Sequence, residues 1–198
     1  MSIDAGAAQG LAYYAATSSG VLAPRGWFCF GLYGSSGDGL FVTPQPFETD
    51  ELLPPARRRF AGPIIESDST FWQSPGRFDI ARIIARVFPD QVEFAQRVIR
   101  EGILAASDFP FGPYPKDRLT YRSDHIVEYQ TPPHSEGLGT DSRWLTANDT
   151  PINGVIILQG EPPDAAILNV RLRSGMNRLT PYIIHQFERD NPQSVPRK

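Results

Sequence analysis

The sequence predicts one α+β domain built on a mainly antiparallel sheet, with a helical pair, a C-terminal helix and long Pro/Gly-rich loops. Short apolar runs alternate with period two in some places and recur at helical spacing in others. The two kinds come in pairs, strand run beside strand run and helix beside helix, without the regular alternation of a parallel β-α-β winding. Hydrophobic residues make up 40% of the 198 positions and aromatics 11%, enough to bury a sizeable core in a single domain spanning residues 1–198. Pro and Gly together fill 36 positions, well above the usual share of about 12%, so the regular elements should be short.

Residues 1–20, rich in Ala, Gly and Ser, are expected to form a loosely held arm, pinned at most by Leu11, Tyr13 and Tyr14. "RGWFCFGLY", Arg25 to Tyr33, is apolar on both alternating faces and reads as a central strand covered on both sides. "GSSGDG" is a turn and "LFVTP" resumes the strand pattern, so the two runs form a hairpin. The stretch that follows to Gly76 is punctuated by proline and reads mostly as loop, with "GPIIES" as a short strand and Arg57, Arg58 and Arg59 as exposed loop charge. Ser74 and Pro75 then open a helix whose Ile80, Ile83, Ile84, Val87 and Phe88 lie on one face, stopped by Pro89. Asp90 and Glu93 have the spacing of a capping box for a second helix, which buries Phe94, Ala95, Val98 and Ile99 and ends at Gly102.

A proline-rich connection leads to the strand "HIVEYQ", His125 to Gln130. The loop from Thr131 to Pro151 has little periodicity, and loops of about 20 residues in compact domains are commonly functional or disordered. "GVIILQG" and "AAILNVRLRSG" are strands, the second placing Leu168, Val170 and Leu172 opposite Asn169, Arg171 and Arg173. Thr180 and Pro181 start the last helix, which docks through Ile183, Ile184 and Phe187, and residues 191–198 form a frayed tail.

The net charge of −3 argues against a nucleic-acid partner, which calls for a clustered basic excess. No apolar run reaches the ~20 residues of a transmembrane helix. A single cysteine excludes an intramolecular disulfide framework, and the three histidines lack metal-ligand spacing, so neither a metal nor another cofactor is expected.

Four groups could carry chemistry. The glycine cluster Gly34 to Gly39 could cradle a phosphate, but a strand and not a helix follows it, so a turn is the simpler reading. Cys29 could act as a nucleophile with His134 as base, yet its place between Phe28 and Phe30 reads as a buried, inert thiol. His134, Ser135, Glu136 and Asp141 gather acid, base and hydroxyl groups in the long loop. Arg171 and Arg173, on one face of a strand, could receive an anion, or lie on a solvated face with Glu128 neutralising one of them.

The runs "LAPRGWFCFGLYGSSG", "VEYQTPPHSEGLGT" and "AAILNVRLRSGMNRLTPYIIHQFERD" together resemble a group of exported bacterial proteins of unknown function, over about Val21 to Asp190. The resemblance implies a signal peptide ahead of the matching part and a periplasmic or secreted location, with Met1 then replacing a removed leader; without a leader the expectation is cytoplasmic. The group often carries His directly before the Cys, where this chain has Phe28, and it implies no activity. The expected function is therefore non-covalent binding of a small molecule or envelope component, using Arg171, Arg173, Glu128 and Glu136. The alternatives are a hydrolase or acyl-transfer enzyme built on Cys29 and His134, and a structural subunit of an envelope complex displaying Trp72, Trp144 or Phe111.

Overall fold

The computed structural model describes residues 9–16, 19–48, 51, 59–142 and 144–192. In chain order the strands are β1 (Leu11–Ala16), β2 (Ser19–Pro24), β3 (Phe28–Gly34), β4 (Gly37–Thr43), β5 (Ile64–Thr70), β6 (Arg118–Ser123), β7 (Ile126–Thr131), β8 (Ile152–Gln159) and β9 (Asp164–Arg171). The helices are α1 (Arg77–Val87), α2 (Val92–Arg100), the single turn α3 (Leu138–Asp141) and α4 (Thr180–Asp190). The α+β class with a helical pair and a C-terminal helix is as the sequence predicts. Seven strands form one antiparallel sheet in the order β3-β4-β5-β9-β8-β7-β6, while β1 and β2 pair separately.

Both faces of the sheet are covered. On one, Leu40, Val42, Ile65, Val155, Leu168 and Val170 pack against Leu11, Val21 and Ala23 of the β1–β2 hairpin and against Ile183, Ile184 and Phe187 of α4. On the other, Val127, Tyr129, Ile156 and Ala165 meet α1 and α2 through Ile80, Ile84, Phe94 and Val98. Beyond the helical pair, Phe41, Ile64 and Ile152 on that second face are covered by Phe60 and Leu145, whose segments join in an isolated bridge.

Several sequence expectations change. Where a loose arm is predicted, residues 11–16 pair with residues 19–24 in a hairpin, because small residues let it lie flat on the sheet and the Arg25 guanidinium ties it to the Gln9 and Leu11 carbonyls. The predicted central strand β3 is an edge strand: Phe30 and Leu32 are half-buried on one face, while Phe28, Cys29 and Tyr33 are exposed. Aromatic content on both faces signalled coverage that the sheet supplies on one side only. The short strand predicted at "GPIIES" is a full seven-residue strand between β4 and β9, and β6 lies within the predicted proline-rich connection. Asp90 and Glu93 do not form a capping box, since a 3-10 turn over Pro89–Gln91 carries the chain into α2 without a side-chain cap. Arg57, Arg58 and the last six residues lie outside the described residues.

Candidate functional site

A sheet covered on both faces should bury apolar side chains, yet a polar row crosses the second face at its centre. The register places Phe41, Glu66, Asn169, Gly154 and Tyr129 side by side on β4, β5, β9, β8 and β7. Tyr129 donates its hydroxyl to Asn169 Oδ1 at 2.5 Å, reaching across the intervening strand because Gly154 presents no side chain there. A Cβ on Gly154 would come within 2.4 Å of the Tyr129 ring and 2.3 Å of the Leu168 carbonyl oxygen. Asn169 Nδ2 then donates to Glu66 Oε2 at 3.1 Å. From above, the Ser142 hydroxyl lies 3.1 and 2.9 Å from the two Glu66 oxygens, and it accepts the backbone N–H groups of Trp144 and Leu145.

Two residues along β5, on the same face, Asp68 hydrogen-bonds the Glu66 carboxyl. Glu66 is fully buried and Asp68 half-buried, beside Gly39 of β4, where a Cβ would meet the Asp68 carboxylate at 2.7 Å. Burial, and then the Asp68 charge, push the Glu66 pKa well above the ordinary 4.5, against the opposing hydrogen bonds of Ser142 and Asn169. The pair therefore favours holding one proton over full ionisation, the behaviour of two like charges forced close together. Tyr129 is pushed up in turn by burial and by the Glu66 charge, and remains a donor.

The loop from Thr131 to Pro151 is not structureless. Gly139 N–H donates to Thr131 Oγ1 and Leu138 N–H to Asp117 Oδ2, fixing α3 over β7. The segment beyond it is stitched to residues 59–62 through Phe60 N–H to the Trp144 carbonyl, Thr146 N–H to the Phe60 carbonyl, and Arg59 to the Leu145 carbonyl. Arg171, one row from Glu66, completes the seam: its guanidinium donates to the carbonyls of Phe60, Gly62 and Thr146.

The residues expected from sequence fall elsewhere. Arg171 is fully buried, and burial lowers its pKa to about 10, with the nearby Glu66 opposing the shift, so the expected solvated position is corrected: β9 is the central strand and its polar face is roofed. Arg173 lies beyond the end of β9 and is exposed. Glu128 is on the opposite face of the sheet from Arg171 and pairs with Arg122 across β6–β7. Glu136 is exposed. His134 pairs with Asp149 at 2.9 Å, and both are open to solvent. Cys29 is exposed on β3 and not buried as expected, and among the described residues no hydrogen bond joins it to His134. Four strands lie between β3 and β7, so Gln130, in the cross-sheet row of Cys29, lies roughly 24 Å from it at ~4.8 Å per strand.

Sequence reasoning missed the Glu66–Asp68 pair. Its one signal is "IIESDS", two acids at i and i+2 directly after an apolar strand start, where alternation puts both on one face. Among the described residues no helix is long and apolar enough to cross a membrane, and no group of three or more His, Cys, Asp or Glu is arranged to hold a metal ion. Comparison with protein-family models, characterised proteins and solved structures finds no match to this chain.

Proposed function

We propose that the protein is a non-covalent binding domain whose ligand carries a cationic amine or guanidinium group, seated on the Glu66–Asp68 pair. The observation that carries this reading is the placement of two carboxyl groups side by side on one face of β5, one of them fully buried and the other half-buried. An approaching cation does the work of the shared proton: it neutralises the second charge, so the pair gives up its proton as the ligand binds. Asp68, the half-buried member, is the side a ligand reaches, and Ser142 and Asn169 hold Glu66 in place. Phe41, itself fully buried next to Glu66 with the Trp144 ring edge-on to it at 5.3 Å, closes off the Glu66 end of the pair. The sequence-based expectation of an anion receptor at Arg171 is set aside for this reading, because the side chain is fully buried and its two terminal nitrogens donate to three backbone carbonyls.

The test is a thermal-shift screen with linear polyamines, arginine and lysine derivatives, matched against carboxylates and phosphates. Cations are expected to raise the melting temperature and anions to leave it unchanged. Calorimetric titration of a positive compound in buffers of different ionisation enthalpy should register proton release, lost in Glu66→Gln and Asp68→Asn. Stabilisation by anions alone, or cation binding without proton release and insensitive to both substitutions, would overturn the reading.

A further inference from the structure

The edge of the sheet at β3, unpaired among the described residues, carries a second, independent feature. β3 is a seven-residue edge strand, "FCFGLYG", with no charged residue and no proline. Natural edge strands are normally protected by charge, proline, bulges or a covering element, because their unpaired backbone groups template pairing with another chain. Here no described strand pairs with the outer edge. Phe28 and Tyr33 are 49% and 79% exposed, and Cys29 is exposed beside Phe28.

The hairpin geometry shows which backbone groups are available. Ser35 and Ser36 form a two-residue turn, so Gly34 and Gly37 make the hydrogen-bonded pair beside it and the bonding alternates from there. Phe28, Phe30, Leu32 and Gly34 spend their N–H and C=O groups on β4, while Cys29, Gly31 and Tyr33 turn theirs to the open edge.

We propose that β3 pairs with β3 of a second copy of this chain, antiparallel about a two-fold axis at Gly31, so that the sheet continues through a homodimer. The strand is complementary to itself about that axis. Cys29 falls opposite Tyr33, Phe30 opposite Leu32, Phe28 opposite Gly34, and Gly31 opposite itself, so every outward-bonding residue meets an outward-bonding residue and no charge faces an apolar side chain. Gly31 suits the axis. The Ala16 side chain already occupies the place of a Gly31 side chain, 2.6 Å from where its Cβ would lie, so a small group stands beside the axis. A charged or irregular partner strand would forfeit this match, which is why the occupant is a second copy and not a general extended peptide. One strand pair is a small interface, so the dimer should be concentration-dependent and dissociate in the micromolar range or above.

Two double variants at exposed positions test the register. In Cys29→Lys/Tyr33→Lys, the lysine introduced at position 29 of one copy faces the lysine introduced at position 33 of the other. In Cys29→Lys/Tyr33→Glu the same pairing sets a lysine against a glutamate. Sedimentation over micromolar to near-millimolar concentration should give a dimer for the parent chain, association weakened at least about tenfold for the Lys/Lys variant, and recovery to within about tenfold of the parent for the Lys/Glu variant. Circular dichroism and melting temperature report that each variant is folded. A parent chain monomeric throughout overturns the proposal. So does a dimer indifferent to the Lys/Lys change, which lies elsewhere, and so does a Lys/Glu variant no more dimeric than the Lys/Lys one, which excludes this register.

Discussion

Replacing Glu66 by Gln isolates the proton held by the buried pair. Gln is an uncharged isostere of the protonated acid: its carbonyl can accept from Ser142 and Asn169, and its amide can donate to Asp68, so the contacts of the native row survive. The native Glu66 pKa is raised above its unfolded value, which makes the sign definite. Between the ordinary value near 4.5 and the raised native value, the folded state holds a proton that the unfolded state has lost, so stability falls as pH rises through that window. One proton corresponds to a slope of about 1.4 kcal/mol per pH unit. The contribution is complete below pH 4.5 and is lost progressively toward the native pKa. Glu188 and Asp117, also raised chiefly by burial, bend the curve the same way in both proteins and cancel in the difference. Urea unfolding at pH 5, 6, 7 and 8 should therefore show the stability of the Glu66→Gln variant, relative to the parent, improving by close to that slope across the window. A constant difference between the two proteins at all four values would refute the assignment of the shared proton to Glu66.

Arg171→Met should lower the unfolding free energy by at least about 2 kcal/mol, since it removes the guanidinium donor from the carbonyls of Gly62 and Thr146 and leaves the Phe60 carbonyl with its Thr146 donors. Arg171→Lys should recover little, because one ammonium cannot reproduce a planar fork spanning two segments; chemical denaturation of both variants checks this. Gly154→Ala should cost about 1–3 kcal/mol and displace the Tyr129 ring from Asn169, visible as a changed tyrosine near-ultraviolet signal. Cys29, exposed on the edge strand, should react with a small aromatic disulfide in the native protein at a rate within about tenfold of the denatured chain. Labelling that requires denaturant would contradict the exposed position.

Much of the fold is legible because it is written in local periodicity. α1 and α4 carry their apolar residues on one turn-spaced face, and the alternation of Leu168 and Val170 with Asn169 and Arg171 places the two sets on opposite faces of β9. The β3–β4 hairpin follows from its turn residues. The site is less legible because alternation separates faces without saying what covers them. Arg171 and Asn169 read as solvated only until β9 is found at the centre of the sheet with a roof over its polar face; Cys29 reads as buried only until β3 is found at the rim.

By itself, then, the sequence determined α1, α2, α4, the β3–β4 hairpin and β7 to β9, with the sidedness of their residues, since these depend on backbone geometry and neighbours a few positions away, while β1, β2 and β6 went unread. Only the tertiary structure decided strand order, and with it the burial that turns "IIESDS" from strand polarity into a carboxyl pair sharing a proton. Strand order depends on contacts between residues such as Glu66 and Asn169, 103 positions apart, whose hydrogen bond no local pattern encodes.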